Sequence, residues 1–319
     1  MDIVVVGDIN ADLILTGLPS LPAFRELKHA KGMKFTLGGS SAIFALNIAR
    51  LGAATGFVGK VGKDHVGDFL LDALTTAGVD ISRVVRDAAL PTGICVSMSF
   101  PDDYAMVSYP GVRESFVLQE VDVDYVKQAR HLHLSSFYLQ PGLQPGCLEL
   151  FRGARRAGLT TSLDPDHDPH EKWDSGMQQL LHEVDLFLPN EIEAARISET
   201  RELADAAKYF GGFSHTTIIK RGHDGVSVIC GGRVTSVPAF QIHPVDTTGA
   251  GDSFDAGFIF QHLNRAPLQT CIAWGSACGA ISTRALGGID PFPTPSEVEA
   301  FLAERQHEAA SLGGEPVPA

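Results

Sequence analysis

The chain has 319 residues, 44% of them hydrophobic, with 38 acidic against 25 basic side chains and a formal charge of −13. That length can bury roughly three quarters of the unfolded surface, and the acidity excludes broad binding to nucleic acid or an anionic membrane, both of which need a basic field. No apolar run reaches membrane-spanning length, "MDIVVVGDIN" lacks the layout of a signal peptide, and five cysteines without Cys-x-x-Cys spacing suggest buried, reduced thiols in a soluble cytoplasmic protein.

The first predicted element is a β-branched strand, Ile3 to Val6, ended by Gly7. Continuous runs of this kind suit strands buried on both faces, as in a parallel sheet. Further runs follow in "TGFVGKVG", "HLHLSS", "LTTSLDP", "VDLFLPN", "TTIIKRG" and "GVSVIC". Helical patterns separate most of them: "SSAIFALNIARLG" stops at Gly52 and "GDFLLDALTTAG" at Gly78. Strand and helix alternation at this spacing predicts a parallel sheet covered on both faces. Two stretches break the pattern, about residues 10–37 and 92–112. Both alternate apolar with polar residues, and the second is punctuated by Pro101-Asp102-Asp103. They predict a small antiparallel sheet, either a flap over a site or an extension of the main sheet. His131 and His133 share one strand face and read as packed core residues rather than a metal pair. The tail "SLGGEPVPA" reads as loose.

The most informative stretch is "VDTTGAGDSFDAGFI". Small residues Gly249, Ala250 and Gly251 precede Asp252, and a helix can run on from there. A helix start offers unpaired N–H groups and partial positive charge, and small residues let a phosphate reach them. Asp252 would repel that phosphate, so its useful role is general base toward an attacking hydroxyl. The plainer alternative is a tight turn whose acid favours the helix N-terminus.

The longer string "DTTGAGDSF" resembles the second signature of the ribokinase-like (phosphofructokinase-B) family of sugar and nucleoside kinases. The likeness extends through "GDINADLIL", "GGSSAIFALNIARLG", "PNEIEA", "IKRGHDG" and "STRALGG", in that order along the chain. It implies a three-layer α/β sandwich around a parallel sheet, one kinase domain over residues 1–319, with the two misfit stretches inserted as a β-sheet lid. It further implies ATP and Mg²⁺. By this resemblance Asp252 is the catalytic base and Gly249, Ala250 and Gly251 form the anion hole. Asn10, Asp12, Gly38, Gly39 and Ile43 fall at the sugar site, and Asn190, Lys220, Gly222 and Gly225 at the nucleotide. Glu193, Asn190 and Asp164 fall at the magnesium, largely through water. Asp246, Thr248 and Ser282 supply oxygens for a monovalent cation such as K⁺, and the lid offers a homodimer surface.

Two positions depart from the family pattern. Ile43 stands four residues after the second glycine, where Asn is frequent, and Asp166 in "DPDH" also stands where Asn is frequent. An aliphatic side chain facing a sugar hydroxyl leaves it unpaired, at about 1–3 kcal/mol. This favours a less hydroxylated sugar or a nucleoside, unless Ile43 merely packs in its helix and Ser41 or the lid supplies the polarity. The expected activity is phosphoryl transfer from ATP to a hydroxymethyl group of a small sugar. The alternatives are a nucleoside kinase and a catalytically silent binding protein on the same scaffold. A dehydrogenase would need Gly-x-Gly-x-x-Gly after the first strand, and "GDINAD" is not that; "GKVGKD" lacks the spacing of a P-loop.

Overall fold

A computed structural model describes residues 1–100, 104–213 and 216–305. The expected turn at Pro101-Asp102-Asp103 and the C-terminal tail lie outside the described residues. In chain order, β1 (Ile3–Val6) is followed by β2 (Asn10–Thr16), β3 (Gly32–Gly38), α1 (Ser40–Arg50), β4 (Thr55–Val58), β5 (Lys60–Gly62), α2 (His65–Thr76), β6 (Val85–Asp87), β7 (Ile94–Ser99) and β8 (Tyr104–Tyr109). Next come α3 (Val123–Val126), β9 (His131–Leu134), α4 (Gln144–Arg156), β10 (Thr160–Leu163), α5 (Met177–Leu181), β11 (Leu186–Phe187), α6 (Glu191–Ile197) and α7 (Leu203–Phe210). The last part holds β12 (Thr216–Lys220), β13 (Val226–Cys230), β14 (Arg233–Val237), α8 (Ala250–Leu263), α9 (Leu268–Ser282) and α10 (Pro295–Glu304).

The main sheet runs β14-β13-β12-β11-β10-β9-β1-β4. It is parallel from β4 to β12 and ends in an antiparallel hairpin, β13–β14. The mixed edge departs from a purely parallel sheet for a simple reason. Only residues 221–225 separate β12 from β13, and a parallel return needs a crossover of a dozen or more residues. Alternation along β1 sends Ile3 and Val5 into the layer containing α1, α8 and α9, and Val4 and Val6 into the layer containing α4 and α6. "TGFVGKVG" divides at Gly59, where a Cβ would stand 2.6 Å from the Gly7 carbonyl oxygen; β5 then leaves the main sheet to pair with β6.

The two misfit stretches form a separate four-stranded sheet, β3-β2-β7-β8. β2 pairs antiparallel with β3 but parallel with β7, so this lid is mixed. Its register places Asp12 opposite Thr36 and Cys95, and Cys95 opposite Ser108. These residues share one face. The other face carries Leu13, Leu15, Phe35, Met33, Val96 and Val107. The polar face meets the body at the 286–288 loop: a Cβ on Gly287 would stand 3.4 Å from Thr36 Cγ2 and 3.5 Å from Ile14 Cδ1. His131 and His133 are fully buried, bridged by Ser162 Oγ at 2.7 Å from each ring, as core residues. Burial drives His131 down to about 3. Three cysteines are buried as expected, whereas Cys230 is exposed and Cys95 lies half-buried on the lid.

Candidate active site

α8 begins where the sequence turns from small residues to apolar ones. Gly249 is its N-cap, at φ 69° and ψ 9°, and no side chain caps this start. Only glycine fits, because the left-handed conformation disfavours a Cβ and one there would stand 2.5 Å from Gly288 Cα. The result is a bare helix N-terminus at Gly249, Ala250 and Gly251, with Asp252 in the first turn. Asp252 is 7% exposed. Burial lifts its pKa well above the usual carboxylate range, and the Asp164 charge adds to this while Lys220 opposes it. A carboxylate so raised is a stronger base toward an alcohol.

Lys220 ends β12 and turns its ammonium into the acids. Nζ donates to Asp164 Oδ2 at 2.8 Å and to Asp255 Oδ2 at 3.0 Å, and lies 3.4 Å from where a Cβ on Gly251 would be. Burial alone would strip its proton, but Asp164 and Asp255 hold it firmly charged. Expected as a nucleotide-loop residue, Lys220 thus has its charge against the anion turn. Gly222 (φ 54°) and Gly225 (φ 89°) shape the turn from β12 into β13, with Arg221 N donating to the Gly225 carbonyl at 2.8 Å.

Asn190 and Glu193 make a reciprocal cap on α6. Glu193 N donates to Asn190 Oδ1 at 2.9 Å and Asn190 N to Glu193 Oε2 at 2.8 Å. An isolated bridge aligns Asn190 with Lys220. Glu193 is 5% exposed, and burial together with the charges of Asp164 and Asp166 raises its pKa well above normal. Among the described residues no three His, Cys, Asp or Glu side chains converge closely enough to hold a metal ion between them. The donors nevertheless fit magnesium, which takes oxygen ligands and keeps several waters. Asp164, Glu193, Asp252 and Asp255 all feel the Lys220 charge, and the repulsion that Asp164 exerts on the other three is what a divalent cation would relieve.

At the base of the lid, where the resemblance puts the sugar, Asn10 Nδ2 donates to Asp12 Oδ1 at 2.8 Å. The Asp12 carboxylate lies over Gly38, where a Cβ would come within 2.3 Å of it. Burial lifts Asp12 to about 6, against the Asn10 hydrogen bond, with the Asp8 charge adding to the rise. Gly39 caps α1 at φ 89° and ψ 120°, and Asp8 Oδ1 accepts from Ser41 N at 3.0 Å. Ile43 is 3% exposed and packs its Cδ1 3.0 Å from the Cβ position of Gly288. Ser41 is fully buried, its hydroxyl donating to Ser135 O at 3.2 Å. Asp166 accepts from Ser136 Oγ at 2.9 Å and Ser40 Oγ at 3.3 Å.

Asp246 accepts from Thr248 N at 2.9 Å and, through its other oxygen, from Gly287 N at 2.8 Å. Ser282 donates to Gly279 O at 2.8 Å at the end of α9. Thr283 O, one residue on, receives Val245 N and Asp246 N at 2.7 and 3.2 Å, so these segments meet beside the anion turn. Sequence reasoning missed Asp8 and Asp255. Asp255 was findable as the acid three residues after Asp252, one turn along the same helix face. Asp8 was findable as an acid in the turn leaving a buried strand.

A family model described as pfkB family carbohydrate kinase matches residues 1–295. The chain is 31% identical to an ATP-dependent ribose-1-phosphate kinase of Halopiger xanaduensis, over 94% of this chain and 97% of that one. It is 28% identical to a 5-dehydro-2-deoxygluconokinase of Geobacillus thermodenitrificans, over 95% and 93%. Among solved structures, Arabidopsis thaliana ribokinase complexed with ribose and ATP superposes with a TM-score of 0.82 at 24% identity, covering 94% of this chain and 98% of that one. This chain belongs to the pfkB family of carbohydrate kinases.

Proposed function

We propose that the protein transfers the γ-phosphoryl group of ATP to a hydroxymethyl group of a small sugar or sugar derivative. The carrying observation is Asp252, buried and raised in basicity, at the first turn of a helix whose uncapped start is made of Gly249, Ala250 and Gly251. Asp252 takes the proton of the acceptor hydroxyl. The oxygen forms a bond to phosphorus as the bond to ADP breaks, and the turn amides and Lys220 face the charge on the migrating group. Asn10, Asp12, Gly38 and Gly39 orient the acceptor, and Ile43 backs the loop behind it. Asn190, Gly222 and Gly225 serve the nucleotide. Magnesium, when bound, neutralises phosphate charge, and Asp164, Asn190 and Glu193 would hold it, largely through water. An E. coli protein described as a ribokinase II, solved with ATP and Mg²⁺ (TM-score 0.84, 22% identity, 95% of this chain and 99% of that one), supports the pairing. Asp246, Thr248 and Ser282 are the candidates for potassium.

We read residues 1–319 as one kinase domain with the lid inserted in it. ATP dependence and five unpaired thiols support a cytoplasmic setting. The lid's apolar outer face, with Met33 at 64%, Val107 at 63% and Tyr109 at 52% exposure, suits a homodimer. The second reading is a nucleoside kinase. A nucleoside kinase of Methanothermobacter thermautotrophicus, 30% identical over 96% of this chain and 97% of that one, supports it. ADP release with MgATP across sugars and nucleosides tests both. Nucleosides active with sugars inert would displace the first reading. Sugar binding without ADP release would favour a silent binding protein.

A further inference from the structure

The polar face of the lid and the turn that follows β8 carry charges that phosphoryl transfer itself does not use. After β8 the chain makes a turn at residues 111–115 that is pinned to the lid base. Val112 N donates to Pro91 O at 3.0 Å, and a Cβ on Gly111 (φ 55°) would stand 2.4 Å from that oxygen and 2.7 Å from Gly93 N. Gly93 O in turn accepts Ala11 N at 3.0 Å, between Asn10 and Asp12. The turn therefore holds Arg113 beside the sugar-binding strand. Among the described residues, the enclosed Arg113 Nε has no hydrogen-bond partner and its guanidinium forms no ion pair. Its positive charge acts on both Asp12 and Cys95, neighbours on the polar face of the lid.

Lys34 is a second cation of this face, opposite Ile14 on β3. Its Nζ donates to Leu286 O at 2.6 Å and stands 3.6 Å from the Cβ position of Gly287, again without an ion pair among the described residues. Hydroxyl groups of a neutral sugar are served by Asn10 and Asp12. They give no reason to enclose a guanidinium N–H without an acceptor, which is a costly arrangement. A planar fork of donors is instead matched by a carboxylate or a phosphate.

We infer that the acceptor is an anionic sugar, whose carboxylate or phosphate is received by Arg113 with Lys34 on the lid as the supporting cation. The inference rests on the kinase reading above and narrows its acceptor class. It leaves Asp12 and Asn10 to the hydroxyls and Asp252 to the reacting one.

The test measures ADP release by the full chain with MgATP and matched acceptors: neutral pentoses and hexoses, their sugar acids, their monophosphates, and nucleosides. An anionic acceptor is expected to exceed its neutral counterpart in kcat/KM. Arg113→Met should lower kcat/KM for it by about 10- to 150-fold, the range of a charged hydrogen bond, and by at least several-fold more than for any neutral acceptor. Arg113→Lys should recover part of the loss. Preference for acids over monophosphates, or the reverse, identifies the anion. Neutral sugars or nucleosides used as well as anionic ones, or equal losses in Arg113→Met for both, overturn the inference and leave the kinase reading standing. Thermal stabilisation by gluconate or inorganic phosphate, followed in wild type and Arg113→Met, separates the remaining cases. Anion binding that needs Arg113 without any ADP release upholds the anion site and overturns the kinase reading; absence of both overturns both.

Discussion

The two ends of the cleft hold acids in opposite states. At the body end, Asp164, Asp255 and Lys220 are already paired, at 2.8 and 3.0 Å, behind Asp252 and the anion turn. At the lid end, Asp12 holds only Asn10, and Arg113 and Lys34 have no acid partner among the described residues. The first end is assembled before any ligand arrives, whereas the second has polar capacity left for one. Transition-state charge is best met by groups that need not reorganise, and specificity by groups whose partners come with the ligand.

The hardest blow to this contrast would come from Asp252. Asp252→Asn should lower kcat about 10²- to 10⁴-fold with sugar KM little changed, as expected for a general base; steady-state ADP release checks it, and full activity would remove the mechanism. Lys220→Met comes next. It leaves Asp164 and Asp255 buried without their cation, and loss of one partner from a buried pair costs about 3–5 kcal/mol. Urea unfolding should show this, and a change under 1 kcal/mol would mean that the body end is not prebuilt. Gly38→Ala pushes a methyl into the Asp12 carboxylate. Sugar KM should rise at least about tenfold with kcat less affected, since uniform binding is what is lost. The fourth prediction concerns pH. Asp12 titrates at about 6, and only its ionised form accepts two hydroxyl donors. Sugar KM should therefore fall as pH rises from 5 to 7, by about tenfold, and Asp12→Asn should flatten the profile. The smallest effect is at the outer lid face. On the homodimer reading, Val107→Glu should halve the mass seen by light scattering; an unchanged mass would dismiss that surface as an interface.

The same contrast explains what was legible in the sequence. The parallel core was plain because continuous runs such as Ile3 to Val6 leave few alternatives to a strand buried on both faces. The helix starts at Gly39 and Gly249 were plain because glycine punctuates them. The lid was visible as a break in pattern, but not its parallel β2–β7 pairing, since alternation records faces and not partners. Lys220 sat in a recognisable turn, yet its side-chain direction depends on Asp164 and Asp255, 56 and 35 residues away. Ile43 stood out as a departure. Its contact with Gly288 explains the aliphatic choice as packing beneath a loop, which composition alone does not reveal.

The 286–288 loop is gripped from above by Lys34 and leaned on from below by Gly249, backbone to backbone. It is the packing point shared by the lid and the start of α8. Under the proposed function, anyone remodelling the lid to change which acceptor is taken must keep the bare α-carbons of Gly249 and Gly288, or the turn before α8 will shift along with the lid.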